Sequence, residues 1–244
     1  MVTKPPEHEK ISTVATKTNA ELSLPLQIQL AILELEKIAG KSDSPHVVLV
    51  VELWDILYKH NTIKAWHSLL VAYYAKKIDE FYKSGLNTDD IFLAGLLHDI
   101  GQVKTPVTIL DKAGKLSISE YLRVKTHVQD GKDMLKEKGL NNYTIEEAIG
   151  GHHENWDGSG YPNKYKEEQT SYVGRLFKIA DQFEAMHNLA GYTSRKYQKE
   201  PFSLEETLLY IKTNMGTHFD PGFTSALAEF ENWYINTFES NHKA

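Results

Sequence analysis

The sequence predicts an all-α protein, and three observations carry that prediction. Segments of helix length, with apolar residues three and four positions apart, follow one another through most of the 244 residues. Ser/Thr-x-x-Glu pairs precede several of them, a pattern in which hydroxyl and carboxylate satisfy the first free N–H groups of a helix. No stretch alternates apolar and polar residues with the period of two that a half-buried strand needs.

Taken in order, residues 1–24 are polar, carry Pro5-Pro6, and read as a mobile tail. Leu26 to Ala39 has helical spacing and is closed by Gly40. Val47 to Tyr58 starts β-branched and could begin as a strand, but its length and Leu53, Trp54 and Leu57 favour a helix. Residues 25–60 thus form a short N-terminal helical segment that either packs on the main bundle or mediates dimerisation; its apolar content favours packing. Residues 61–240 form the main domain. In it, Thr62 to Lys83 is a long amphipathic helix closed by Gly85, and Asp89 to Asp99 a short one closed by Gly101. Ser117 with Glu120 heads a helix to about Lys138, and Thr144 with Glu147 heads another that runs into His152-His153. Tyr172 to Leu189 comes next, then a helix capped by Ser203 with Glu206. Asp220-Pro221 offers an N-cap with proline at the first position for the last helix, to about Phe238.

Composition narrows the chemistry. There is no cysteine, which excludes disulfides, thiolate zinc sites, iron–sulfur clusters and cysteine nucleophiles. A reducing cytosol suits such a chain, and a cytoplasmic location is expected. The net charge is −6 and no Lys/Arg block exceeds a pair, so long nucleic acid is not an expected partner. No apolar run is long enough for a membrane span.

The residues that stand out are His67, His98-Asp99, His127, His152-His153 and Asp181. They recur 25 to 31 residues apart, about one helical hairpin each, so neighbouring helices can aim them at a common centre. Adjacent residues on a helix diverge by about 100°. His98 and Asp99 can therefore share a target only where the helix ends, and Gly101 is expected to end it. A single histidine on a helix is ordinarily a core or surface residue, and His8, His46, His60, His187, His218 and His242 are read that way. Asp181, in an Ile-Ala context, is more telling because a buried carboxylate needs a partner. The run Gly151 to Pro162 adds a glycine-rich Gly-Tyr-Pro turn beyond the histidine pair.

These residues resemble the HD-GYP branch of the HD-domain phosphohydrolases over roughly residues 62–235. The anchors are Trp66-His67-Ser68-Leu69, His98-Asp99-Ile100-Gly101 with Pro106, Lys125-Thr126-His127, the His152-to-Pro162 run, Ala180-Asp181, Ser194 to Tyr197, and Gly216 to Pro221. The resemblance implies an HD-domain helical bundle that hydrolyses cyclic di-GMP to linear pGpG or GMP. It implies two divalent ions, iron or manganese. His67, His98, Asp99 and Asp181 would hold one ion. Asp99 would bridge to a second held by His127, His152 and His153, and a metal-bridging hydroxide would attack phosphorus. Arg195, Gln198, Lys199, Tyr161 and Trp156 would lie along the substrate, though Trp156 is as readily a packing residue and Tyr161 as readily part of a rigid loop. The Gly-Tyr-Pro loop is linked in the family to contact with diguanylate cyclase (GGDEF-type) domains.

Three positions depart from the family pattern. Gln102 stands where the family's His-Asp-x-Gly-Lys motif has its lysine, expected near the scissile phosphate. Gln198 replaces a second cation, with Lys199 following. Ile63 occupies the place of a Glu that holds a third ion in some members, so two ions are expected. Gln102 is either neutral, with Lys104 substituting, or a cause of reduced turnover. The alternatives are therefore a cyclic-dinucleotide receptor or interaction scaffold that turns over poorly, or a phosphodiesterase for another cyclic dinucleotide.

Overall fold

A computed structural model describes residues 24–41, 44–187 and 201–240. The expected tail over residues 1–24 lies, apart from Leu24, outside the described residues, as do Arg195, Gln198 and Lys199. The described residues form helices α1 (Leu26–Lys41), α2 (Pro45–His60), α3 (Thr62–Tyr82) and α4 (Thr88–Leu97). A 3₁₀ turn (Ile100–Lys104) and the single-turn α5 (Val107–Leu110) lead to α6 (Ile118–Lys125), α7 (His127–Glu137) and α8 (Tyr143–Gly151). After a long loop come α9 (Tyr172–His187), α10 (Leu204–Thr213) and α11 (Thr224–Tyr234). Among the described residues β-pairing is limited to two isolated bridges, Asp157 with Lys166 and Met215 with Phe219.

α3 is the axis of the bundle. Its buried residues run unbroken from Ala65 to Lys76, with Ile78 and Asp79 beyond, the signature of a helix covered on all sides. α1, α2, α4, α9 and α11 pack around it. Asn61 caps its start by accepting from the Lys64 N–H, and Lys83 ends it in the left-handed conformation at φ 64°. The N-terminal segment is part of this core. Ile28, Ala31, Ile32, Leu35 and Ile38 of α1 are buried with the residues of α3 and α4. Trp54 of α2 donates its indole N–H to the Ala65 carbonyl at 3.1 Å and joins an aromatic cluster with Tyr58 and Trp66. α8 and α9 cross where Gly151 faces Gly174, so closely that a methyl group on Gly151 would lie 2.7 Å from the Gly174 Cα. That contact brings the histidine pair at the end of α8 against the helix carrying Asp181.

Several boundaries differ from the sequence reading. Residues 47–58 are helical throughout, extended to Pro45–His60. The helix expected from Ser117 to Lys138 is two helices: the capping box of Ser117 and Glu120 is present, but α6 stops at Lys125. The Thr126 hydroxyl, donating to the Arg123 carbonyl at 2.8 Å, competes with the helical ladder there. α8 is capped by Asn142, which accepts from the Ile145 N–H at 3.0 Å, in place of the Thr144–Glu147 box. Ser203 and Glu206 form the expected box on α10. Asp220 caps a 3₁₀ turn (Pro221–Phe223) before α11, and a π-helical turn (Ile235–Glu239) comes after it.

Candidate metal centre

The seven ligand candidates converge. α3 supplies His67, His98 and Asp99 follow the end of α4, α7 begins with His127, His152 and His153 follow the end of α8, and α9 carries Asp181. They fall into two groups, Asp99 with His127, His152 and His153, and His67 with His98 and Asp181, in each of which one ligand atom per residue lies within 4.8 Å of the others.

Asp99 stands between the groups. Its Oδ1 is 3.3 Å from His127 Nε2 and 3.9 Å from His152 Nε2. Its Oδ2 is 3.9 Å from both His67 Nε2 and His98 Nε2. Asp181 Oδ1 closes the second group, 3.0 Å from His67 Nε2 and 3.9 Å from His98 Nε2. The local backbone explains how adjacent residues share a centre, and it corrects the role expected of Gly101. α4 ends at Leu97, and Asp99 adopts φ −105°, ψ 11° ahead of the 3₁₀ turn. Gly101 is needed for a close approach: a methyl group there would collide with the His127 carbonyl and the Gly131 nitrogen.

The imidazoles are oriented from behind. His98 Nδ1 is 2.8 Å from the Gly95 carbonyl, His127 Nδ1 2.6 Å from that of Val124, and His152 Nδ1 2.8 Å from that of Ala148. A carbonyl can only accept, so each Nδ1 carries a proton and each Nε2 is turned to the centre, with those of His127 and His152 3.3 Å apart. His98 Nε2 is buried without a hydrogen-bond partner. A buried acceptor left this way is costly unless something binds it, and a divalent cation fits the surrounding nitrogen and carboxylate donors.

Electrostatics agrees. Burial pushes His152 down to about 3 and lowers His98 and His153, so these rings are neutral, as ligation requires. Burial works against charge on Asp99 and Asp181 too, but the Lys64 ammonium beside Asp99 and His67 beside Asp181 hold both carboxyls well below the usual range. His67 differs: burial is outweighed there by the Glu184 and Asp181 carboxylates, which raise it to about 10, so this ring carries a second proton that a metal would have to displace. His67 Nδ1 hydrogen-bonds to Glu184, which is 2% exposed.

Glu184 and Lys64 are site residues that the sequence reading does not pick out. The signal for Glu184 is its spacing: three residues after Asp181, it shares that residue's helix face. Lys64 Nζ lies 3.2 Å from Asp99 Oδ2, and its signal is again spacing, one turn before His67. Of the other candidates, Tyr161 stacks on His153 with ring centroids 4.5 Å apart, and Lys125 Nζ sits 4.1 Å from its centroid. Gln102 is buried beside the cluster in sequence, with its Oε1 unpartnered. Lys104, considered as its substitute, has an exposed side chain. The Trp156 ring lies 5.5 Å from the Arg175 guanidinium, and the Trp156 backbone N–H donates to the His218 carbonyl.

A family model described as HD domain matches residues 53–223. A "3'3'-cGAMP-specific phosphodiesterase 2" of Vibrio cholerae is 32% identical over 171 residues, covering 69% of this chain and 32% of that protein. A "cyclic di-GMP phosphodiesterase" of Thermotoga maritima is 31% identical over 185 residues, covering 75% of this chain and 49% of its own. The chain thus spans about a third to a half of the length of these relatives. A crystal structure of a cyclic GMP-AMP specific phosphodiesterase of V. cholerae superposes with a TM-score of 0.50 at 19% identity, covering 80% of this chain and 50% of that one. This last likeness is one of fold. No helix of the described residues is long and apolar enough to cross a membrane.

Proposed function

The chain belongs to the HD domain family, and from that premise we propose that it is a metal-dependent phosphodiesterase that opens cyclic di-GMP to linear pGpG or on to GMP. The observation that carries this reading is Asp99, whose two oxygens face two separate sets of donors. Two divalent ions there, iron or manganese by the donor set, would supply a nucleophile from water and charge to receive a phosphodiester. The chain's own part is to hold Nε2 atoms on one side of each oxygen, fixed by the Nδ1 contacts behind them. Gln102 is assigned to the phosphate as a neutral hydrogen-bond donor, and Arg195, Gln198 and Lys199 to the substrate. Tyr161 is assigned to the pocket wall beside His153. Trp156, beside Arg175, fits better as packing. The Gly158–Pro162 loop as a contact for a diguanylate cyclase domain is a reading that rests on the resemblance. Cytoplasmic residence likewise rests on the cysteine-free composition.

Two specific observations favour other readings. The similarity to proteins named for 3'3'-cGAMP favours that dinucleotide as substrate. The neutral Gln102 favours a receptor, because it brings no charge to offset a developing anion.

One experiment separates them. The protein is prepared with manganese, or anaerobically with iron, and given cyclic di-GMP and 3'3'-cGAMP separately, with products followed by chromatography. Linear product from cyclic di-GMP is expected, and Asp99→Asn should abolish it. Preferential cleavage of 3'3'-cGAMP would move the substrate. Tight binding without product from either would replace the enzyme by a receptor.

A further inference from the structure

The ion pair between Lys64 and the shared carboxylate points to a role that the ligand set alone does not assign. Lys64 lies on α3 one turn before His67. Its ammonium is 3.2 Å from Asp99 Oδ2, the oxygen that faces His67 and His98. The two side chains differ in exposure: 30% for Lys64 and 5% for Asp99. Lys64 is the more exposed partner and so approaches Asp99 from the solvent side of the pair. On that approach its ammonium occupies the carboxylate oxygen that a cation held by His67, His98 and Asp181 would use.

We propose that Lys64 exchanges partners: it neutralises Asp99 while the His67 group is empty and binds the phosphate of an incoming cyclic dinucleotide once Asp99 is engaged by a divalent cation. The proposal rests on the reading of the cluster as a metal centre for a cyclic dinucleotide. Its logic is charge balance. An ammonium and a divalent cation cannot both stay close to one carboxylate oxygen without strong repulsion. Lys has a flexible stem and behaves as a mobile point charge, so it can swing outward without disturbing α3. Swung outward, the ammonium would meet an anion arriving from solvent. Gln102 is neutral and buried, so Lys64 brings to this face a charge that Gln102 does not.

The exchange predicts effects of opposite sign, which a structural role does not. In Lys64→Met and Lys64→Gln, a competing cation is gone, so manganese should bind tighter by calorimetry. The same variants, saturated with manganese, should bind phosphorothioate analogues of cyclic di-GMP and 3'3'-cGAMP about tenfold more weakly, the scale of one lost charge-assisted hydrogen bond. Lys64→Arg should retain most of the analogue affinity. Using two replacements guards against one that misfolds, and thermal melts check both. Weaker binding of both metal and analogue would make Lys64 a support for Asp99 and overturn the exchange, as would unchanged analogue affinity. Wild type that binds an analogue Lys64-dependently yet cleaves neither dinucleotide would sink the enzyme reading and leave the exchange standing. Wild type that binds neither analogue would overturn both.

Discussion

At the scale of single residues, the most consequential finding is that buried carboxylates orient the site as well as populate it. Glu184 touches the rear nitrogen of His67, and so fixes which nitrogen of His67 faces the cluster. Partners of this kind typically cost 10–100-fold in metal affinity when removed. Glu184→Gln should therefore weaken manganese binding by about tenfold at the His67 group, read as metal content after dialysis, with the Asp99–His127 group retaining its ion. Equal loss from both groups would mean that Glu184 holds the fold and not the ring. The seven ligand candidates were legible in the sequence because His-Asp and His-His adjacency at hairpin spacing is rare. Glu184 and Lys64 were not singled out because a Glu on a helix and a Lys near a helix start are ordinary until burial and distance are known. Arg195, Gln198 and Lys199 lie outside the described residues.

At the scale of elements, helix existence was legible and helix ends were not. Period and capping pairs located each long helix, whereas Thr126 splits α6 from α7 through a hydroxyl–carbonyl bond that competes locally with the ladder. Asn142 likewise displaced the expected cap of α8, because two good N-cap residues lay within one turn of each other. The docking of α1 was open from sequence; in the structure a buried ammonium adds to the apolar contacts that α1 makes with the bundle. Lys76 on α3 pairs with Glu34 of α1 at 2.8 Å and with Asp89 of α4 at 2.6 Å. Partial burial opposes charge on both carboxyls, but Lys76 and its lysine neighbours draw Glu34 below its ordinary 4.5 and Asp89 below 3.8. Carboxyls lowered on folding add stability that is fully present above those ordinary values and is lost as pH falls through the lowered ones. Lys76, raised above 10.5, adds its share below that value and loses it only in stronger alkali. Amide exchange of α1 should therefore quicken as pH falls below about 4, relative to α3 and α4, after correction for intrinsic rates. Protection of α1 that stays in step with α3 through that range would show that apolar burial alone holds it.

At the scale of the whole molecule, the site explains why these helices need one another. α3, the end of α4, α7, α8 and α9 each send at least one side chain to the cluster, so three largely buried carboxylates and several desolvated rings meet at the centre of the bundle. Burying such groups works against folding unless they are paired, and the orphaned His98 Nε2 shows that pairing within the protein is incomplete. Cations binding there would join five elements that otherwise meet through packing and a few polar contacts such as Lys64 with Asp99 and His67 with Glu184. A ligand that binds the folded state alone stabilises it by about 2.7 kcal/mol at a hundred times its dissociation constant. For a chain of this size that corresponds to about 5–10 °C in the thermal midpoint. Manganese added to chelator-treated protein should raise the melting temperature by that amount, and Asp99→Asn should lose most of the rise because it weakens both groups together. Loss of the rise in His67→Ala but not in His127→Ala would mean that one group alone binds the stabilising ion. An unchanged melting temperature in wild type would mean that the buried cluster is satisfied by protons and packing, and the metal-centre reading would fall with it.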